Sequence, residues 1–313
     1  MLTNLLRHWG ETKAPSKRKT EVSLIIGTLG RPPEILKNHL ENLCKQEFKN
    51  FDVIIVDQNA DHRLAGILDA KNWPYPIRRL HRPEQRGVTS ARNEGLWHAT
   101  GNIVLFPDDD CWYPPWFLAK GVELLARHKC ASITGRAADE AGRSINGRFA
   151  KQAAWVDRTN VWITQIEWVV FFRRDALLAV GGYDEALGAG SAKFRWAYEG
   201  QDLTLRLLEA GHRTYYDPEL YAHHEELDTR NPDDSMLRKG RAYSRGFGYV
   251  LRKHHYYPTT LIYWLLRPIA GALFALIRGE FSRARYYVYI GLGRIEGWLQ
   301  FLAPIPASPS GKP

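Results

Sequence analysis

The stretch "NIVLFPDDDCWYPP", residues 102–115, decides how the chain is read. Four consecutive apolar side chains, Ile103 to Phe106, have the pattern of a buried strand, yet the run ends in Pro107 and three adjacent carboxylates. Aspartate suits neither strand nor helix interior, and three neighbouring carboxylates repel one another. Charge of this kind at the mouth of a core asks for a counterion. Carboxylates at i and i+2 just beyond a strand both reach one bound cation, because hard divalent ions take oxygen ligands and offset the repulsion. The alternative for the residues alone is a solvated acidic loop after an edge strand.

Upstream of this stretch, strand and helix signals alternate. "EVSLIIGTL" (21–29) is an apolar run closed by Gly30, Pro32 and Pro33, and "EILKNHLENLCKQ" follows with leucines and isoleucine at helical spacing. "FDVIIVDQNADH" reads as a second buried strand and "GILDAKN" as a short helix. "IRRLHRP" is a third strand, and "TSARNEGLWHAT" a helix capped by Thr89 or Ser90. Near-continuous apolar strands separated by helices predict a mostly parallel sheet covered on both faces. Ligands of such sheets bind beyond the carboxyl ends of the strands, where Asp57 and residues 108–110 fall. Residues 131–225 are mixed: "SITGRA" and "IEWVVFFRRDALLAVGGYDE" suggest strands feeding a helix, "EGQDLTLRLLEAG" a helix stopped by Gly211, and "RTYYDPELYAHH" a strand and turn.

The chain has 313 residues and a net charge of +9. That length is slightly more than one core usually fills, so one main domain with an appendage is expected. The charge is localised: twelve Lys/Arg against Glu280 and Glu296 from Arg238 onward give +10, leaving −1 for the first 237 residues. Cys44, Cys111 and Cys130 are too few and scattered for a disulfide framework or zinc site, which favours a reducing compartment. The first twenty residues lack the apolar core of a signal peptide and read as a flexible leader, and the Pro/Ser/Gly-rich tail 303–313 reads as disordered.

"VSLIIGTLGRPPEILKNHLENL", "FDVIIVDQN", "RGVTSARNEGLWHATGNIVLFPDDDCWYPP", "RRDALLAVGGYDEAL" and "EGQDLTLRLLEAGHRTYYDPELYAHH" stand in the order and spacing of the family 2 glycosyltransferases. The resemblance spans roughly residues 21–225. It implies a GT-A fold, a nucleotide-diphosphate sugar donor, Mg²⁺ or Mn²⁺, and inversion at the anomeric carbon. Asp108 and Asp110 match the family's DxD, with Asp110 the more direct metal ligand, Asp108 nearer the donor's ribose or sugar, and Asp109 between them. Asp57 matches the acidic residue that binds the nucleoside, although Gln58 stands where a second acidic residue is usual. The resemblance also puts Thr28 and Arg31 in the nucleotide pocket and Arg86, Arg92 and Asn93 in support of the donor, and sets His224, beside His223, near the metal or diphosphate. The base that takes the acceptor's proton comes from an "ED" pair opening a helix. Here Gly200 replaces the adjacent aspartate, so the candidates are Asp202 first, with helix capping as its alternative role, and Glu199 second. Among the aromatic residues near these motifs, Trp168 is the one that merits testing for sugar stacking.

From Arg238 the chain interleaves Arg/Lys with Tyr, Trp, Phe and Leu. Residues 259–277 are almost wholly apolar and nearly long enough to cross a bilayer, but Arg267-Pro268 interrupts the middle. A central arginine disfavours spanning, so an interfacial or re-entrant helix pair on anionic headgroups is expected, with a soluble helical subdomain as the alternative. No nucleic-acid-binding module accompanies the charge. The organisation expected is therefore a leader (1–20), a GT-A catalytic domain (21–235), a helical membrane-associating region (236–302) and a tail (303–313). The expected function is metal-assisted, inverting sugar transfer to a glycan or lipid-linked acceptor at the cytoplasmic face of the membrane. The rivals are a nucleotide-sugar-binding or nucleotidyl-transfer protein on the same fold, and a membrane-surface adaptor.

Overall fold

The computed structural model describes residues 20–69, 72–229 and 231–300; the expected tail and all but the last residue of the expected leader lie outside them. Eight strands form one sheet: β1 Val22–Thr28, β2 Phe51–Asp57, β3 Ile77–His81, β4 Ile103–Leu105, β5 Ser132–Ala137, β6 Ala154–Trp155, β7 Phe171–Arg173 and β8 Thr214–Ala222. Their order is β3-β2-β1-β4-β7-β5-β8-β6. The first four run parallel, as their apolar runs predict; β7 is antiparallel to both β4 and β5, and β6 to β8, so the sheet is mixed.

Alternation along β1 assigns the two faces. Val22, Leu24 and Ile26 point toward α1 (Pro33–Leu43) and α4 (Phe117–His128), while Ile25 packs with Leu96 of α3 (Val88–His98), Leu177 of α5 (Arg174–Ala179) and Leu203 of α6 (Glu199–Glu209). Helix α2 is a single short turn, Ala65–Asp69. Register positions the rim: Thr28 pairs with Asp57, and Leu24 with Leu105. Continued four residues past β4, that register sets Asp109 level with Thr28.

Two local expectations change. Neither Thr89 nor Ser90 caps α3; Gly87 is the cap residue, and the Thr89 hydroxyl instead donates to Leu187 O at 2.8 Å. The strand-and-turn reading of 213–224 resolves into one nine-residue strand, which absorbs its irregularity as a register shift against β5.

Three 20-residue helices follow: α7 Asp234–Lys253, α8 Pro258–Ile277 and α9 Phe281–Gln300. The Asp233 carboxylate caps α7, accepting from Met236 N at 2.7 Å. Helices α7 and α9 cross closely: a Cβ on Gly248 would lie 2.0 Å from Arg294 O, and one on Gly297 would lie 2.0 Å from Arg245 O. Phe247 and Leu251 of α7 join Leu261 and Trp298 in a small core that meets Trp162 and Tyr198 of the sheet domain.

The expected break at Arg267-Pro268 does not occur, and α8 is continuous. Proline removes the amide that would bond the carbonyl four residues back. That carbonyl, Trp264 O, accepts instead from the Arg294 guanidinium of α9. Ile262, Tyr263, Leu266, Ile269, Leu273 and Phe274 leave α8 with an exposed apolar face.

Candidate active site

The rim of β1, β2 and β4 brings the three aspartates against three cations. Thr28 Oγ1 donates to Asp109 Oδ2 at 2.7 Å, as the register requires. Arg31, on the loop after β1, reaches Asp110 Oδ2 with its terminal nitrogen and Asp109 Oδ1 with Nε at 3.3 Å. Arg92 projects from α3 and is 2% exposed; Nη2 donates to Asp108 Oδ1 at 2.9 Å and Nη1 to Glu199 Oε1 at 3.0 Å. His224, just past β8, sets Nε2 3.1 Å from Asp110 Oδ1. Contacts spanning from 16 to 114 residues of sequence close in one cluster.

Burial pushes the Asp109 carboxyl up to about 6, against Thr28 and Arg31, which lower it. Burial also acts on Asp110, but the His224 hydrogen bond and the charges of His224 and Arg31 win and hold it below the usual carboxylate range. For His224 burial opposes the charged form, yet the hydrogen bond and charge of Asp110 raise it to about 9. The protein's own cations thus occupy the field of the carboxylates.

Asp108, Asp110 and His224 each offer a ligand atom, all within 4.8 Å of one another. Two carboxylate oxygens and an imidazole are a donor set that suits Mg²⁺ or Mn²⁺. His223 is the residue with which His224 could be confused. It is buried, its Nδ1 lies 3.0 Å from Ala138 O, and its backbone bridges to Trp112. Trp168 is 4% exposed and belongs to the core; its ring centroid stands 5.7 Å from that of His224.

Other expected site residues turn out to brace the rim. Asp57 is fully buried: Oδ1 accepts from Asn59 N and Nδ2, and Oδ2 from Arg79 Nε and Nη2 at 2.9 and 2.6 Å. Asn59 in turn accepts from Gly30 N, tying the loop after β2 to the loop after β1. Arg86 spends Nη1 on the carbonyls of Gln58, Pro83 and Gln85. Asn93 pins the turn before Tyr183, exchanging hydrogen bonds with its backbone N–H and C=O.

The structure separates the two candidate bases. Glu199 opens α6 beside Arg92, with 12% of its side chain exposed. Asp202, one turn on, has none exposed; it accepts from Arg206 Nε at 2.9 Å and pairs with Lys253 Nζ at 2.7 Å and His254 Nε2 at 2.9 Å. Burial alone would raise the Asp202 carboxyl, but His254, Lys253 and Arg206 bring it down to about 2. Leading the helix, Asp202 was expected to meet the acceptor; the structure turns it toward the end of α7, where it is an anchor.

Reading the sequence misses Arg79, Asn59, Glu167 and Tyr243. Alternation in "IRRLH" puts Arg79 on the sheet face it shares with Ile55 and, two residues on, Asp57 of β2. Tyr243 comes from α7, where burial and then the charges of Glu199, Asp108 and Asp110 raise its phenol, so the C-terminal helices border the site.

The model for Glycosyl transferase family 2 matches residues 23–177. A Haemophilus influenzae uncharacterized glycosyltransferase is 31% identical over 94 residues, covering 30% of this chain and 31% of its own length. The chain therefore aligns with about a third of that relative. The glucosyl-dolichyl phosphate glucuronosyltransferase of Haloferax volcanii is 22% identical over 235 residues, 69% of this chain and 73% of that one. Among solved structures, the mannosyltransferase PcManGT of Pyrobaculum calidifontis, in complex with GDP-Man and Mn²⁺, superposes with a TM-score of 0.62 at 18% identity over 89% of this chain and 88% of the other. With its sheet order and its rim of aspartates, the chain has the GT-A fold, and its residues 23–177 are those of a glycosyl transferase family 2 domain.

Proposed function

We propose that the chain transfers a sugar from a nucleotide-diphosphate donor to a hydroxyl of a glycan or lipid-linked acceptor, with inversion and with Mg²⁺ or Mn²⁺. The observation that carries this reading is the convergence of Asp108, Asp110 and His224 at the strand ends. These three residues would hold the cation, which would supply positive charge to a departing diphosphate. Arg31, 45% exposed, is free to turn from the aspartates to a donor phosphate, while Thr28 and Asp109 fix the floor beneath it. Asp57 shapes the nucleoside end through Asn59 and Arg79, and Arg86 holds the Gln58 backbone in place.

Glu199 is the base this geometry favours. Its carboxylate takes the acceptor hydroxyl's proton while that oxygen bonds to the anomeric carbon. The bond from that carbon to the diphosphate oxygen breaks, and its electron pair leaves with the diphosphate. Attack opposite the leaving group inverts the centre. Asp202 suits this role less, because Arg206, Lys253 and His254 take up its oxygens.

The exposed face of α8, with Arg267 and Arg278 on the same helix and its C-cap, supports contact with an anionic bilayer on the cytoplasmic side. Helix α8 is long and apolar enough to cross a membrane, but its lengthwise packing on α9 and the mid-helix Arg267 favour lying on the surface.

Incubation with UDP-, GDP- and dTDP-sugars and Mn²⁺, following nucleotide release, tests the reading. Asp110→Asn is expected to lower turnover about 10²–10³-fold, and EDTA to abolish it until Mn²⁺ is restored. Unchanged turnover under both treatments overturns the metal role.

A further inference from the structure

The departure of this chain from its family's acidic pair has a structural counterpart. Gly200 follows Glu199 on α6, and a Cβ built on it would lie 1.6 Å from Glu167 Oε2 and 3.1 Å from Gln165 Nε2. Any side chain at position 200 would begin where the Glu167 carboxylate already is. Glu167 comes from elsewhere in the chain, the 3₁₀ turn Glu167–Val169 just before β7. Its Oε1 accepts from the Tyr183 hydroxyl and lies 4.0 Å from Arg92 Nη1, while Oε2 is buried without a hydrogen-bond partner among the described residues. Gln165 Nε2 is likewise unpartnered. A buried carboxylate with a free oxygen is an expensive arrangement for packing alone.

We propose that Glu167 is the second acidic group of this site, a positioning residue whose carboxylate fills the space Gly200 leaves open and which acts on Glu199 through the guanidinium of Arg92. This rests on the transferase reading and on Glu199 as its base. Arg92 bonds Asp108 on one side and Glu199 on the other, with Glu167 beside the nitrogen that serves Glu199. Glu167 shares the pull of that nitrogen. Without it, Arg92 binds Glu199 harder, and the base holds the acceptor's proton less well.

Relocating the carboxylate tests this. Gly200→Asp alone forces two side chains into one space and should lower Tm by about 3–6 °C; adding Glu167→Ala should recover most of that loss. In nucleotide release from whichever donor the wild type uses, Glu167→Gln and Glu167→Ala should each lower kcat about tenfold to a hundredfold with donor KM within about threefold. Gly200→Asp in the Glu167→Ala background should restore kcat, and Gly200→Asn should not. Equal rescue by Asp and Asn, or none by Asp in a variant whose Tm has recovered, overturns the proposal. So does failure of the double variant to regain Tm. A wild type that releases nucleotide from no donor overturns the transferase reading instead, and the positioning role with it; the thermal comparison then decides only whether the two side chains share one space.

Discussion

Two carboxylate clusters lie one helical turn apart on α6 and behave oppositely. At the rim, Asp108, Asp109, Asp110, Glu167 and Glu199 share Arg31, Arg92 and His224, an excess of negative charge in which burial raises Asp109 and Glu167 to about 6 and 7. Around Asp202 the charges are matched instead: the carboxylate meets Arg206, Lys253 and His254, Lys253 also meets Asp184 and His254 also meets Glu209, and the Asp202 carboxyl is brought down to about 2. The first cluster is short of cations and suits a metal and an exchanging proton. The second is saturated and suits fastening α7 to the sheet domain. Proximity in sequence says little about role; the ratio of carboxylates to cations says more.

The comparison breaks most forcefully at Arg92. Arg92→Met strands Asp108, Glu167 and Glu199 without their shared cation and should cost about 4–5 kcal/mol in urea unfolding while abolishing nucleotide release. Asp202→Asn should cost about 2 kcal/mol, because Arg206 and Lys253 lose the carboxylate they share while keeping Val180 O, Gly182 O and Asp184, yet lower kcat less than tenfold in the fraction that stays folded. A hundredfold loss of kcat at unchanged stability would merge the two clusters.

Acid sharpens the same contrast. The folded carboxyl of Asp202 titrates near 2 and the unfolded one near 4, so its stabilisation is present above pH 4 and lost as pH falls toward 2. Denaturant midpoints should show roughly 2 kcal/mol disappearing across that interval in the wild type and not in Asp202→Asn. The smallest effect on stability is expected on α8, where Ile269→Asp with Leu273→Asp changes exposed positions. Stability should hold within about 0.5 kcal/mol per site, while co-sedimentation with anionic liposomes at low salt is lost. Removing the helices outright would instead uncover Phe247 and Leu251 and leave Asp202 without Lys253 and His254.

Much of this was legible from residue order. Apolar runs in β1, β2 and β4 end in polar residues that mark the rim, so Asp108 and Asp110 stand out as candidates from the sequence, whereas His224, just past β8, stands out only through the family resemblance. The base was not, because Glu199 and Asp202 are both acidic and near the start of one helix, and what distinguishes them is α7, some fifty residues away. Glu167 was hidden for a related reason: its signal is the missing side chain at Gly200, which means nothing until the two are seen in contact. The continuity of α8 depended on Arg294, which no local rule for proline includes.

That last contact has a mechanical meaning. A proline in mid-helix ordinarily supplies a swivel, and the guanidinium on the freed carbonyl removes it. Helices α8 and α9 are thereby joined at mid-length, and α9 is in turn packed closely on α7, the helix that carries Tyr243. On the transfer and surface contact proposed above, the outer face of α8 would set the height of Glu199 above that surface, and acceptors would be sorted by how far their hydroxyl reaches.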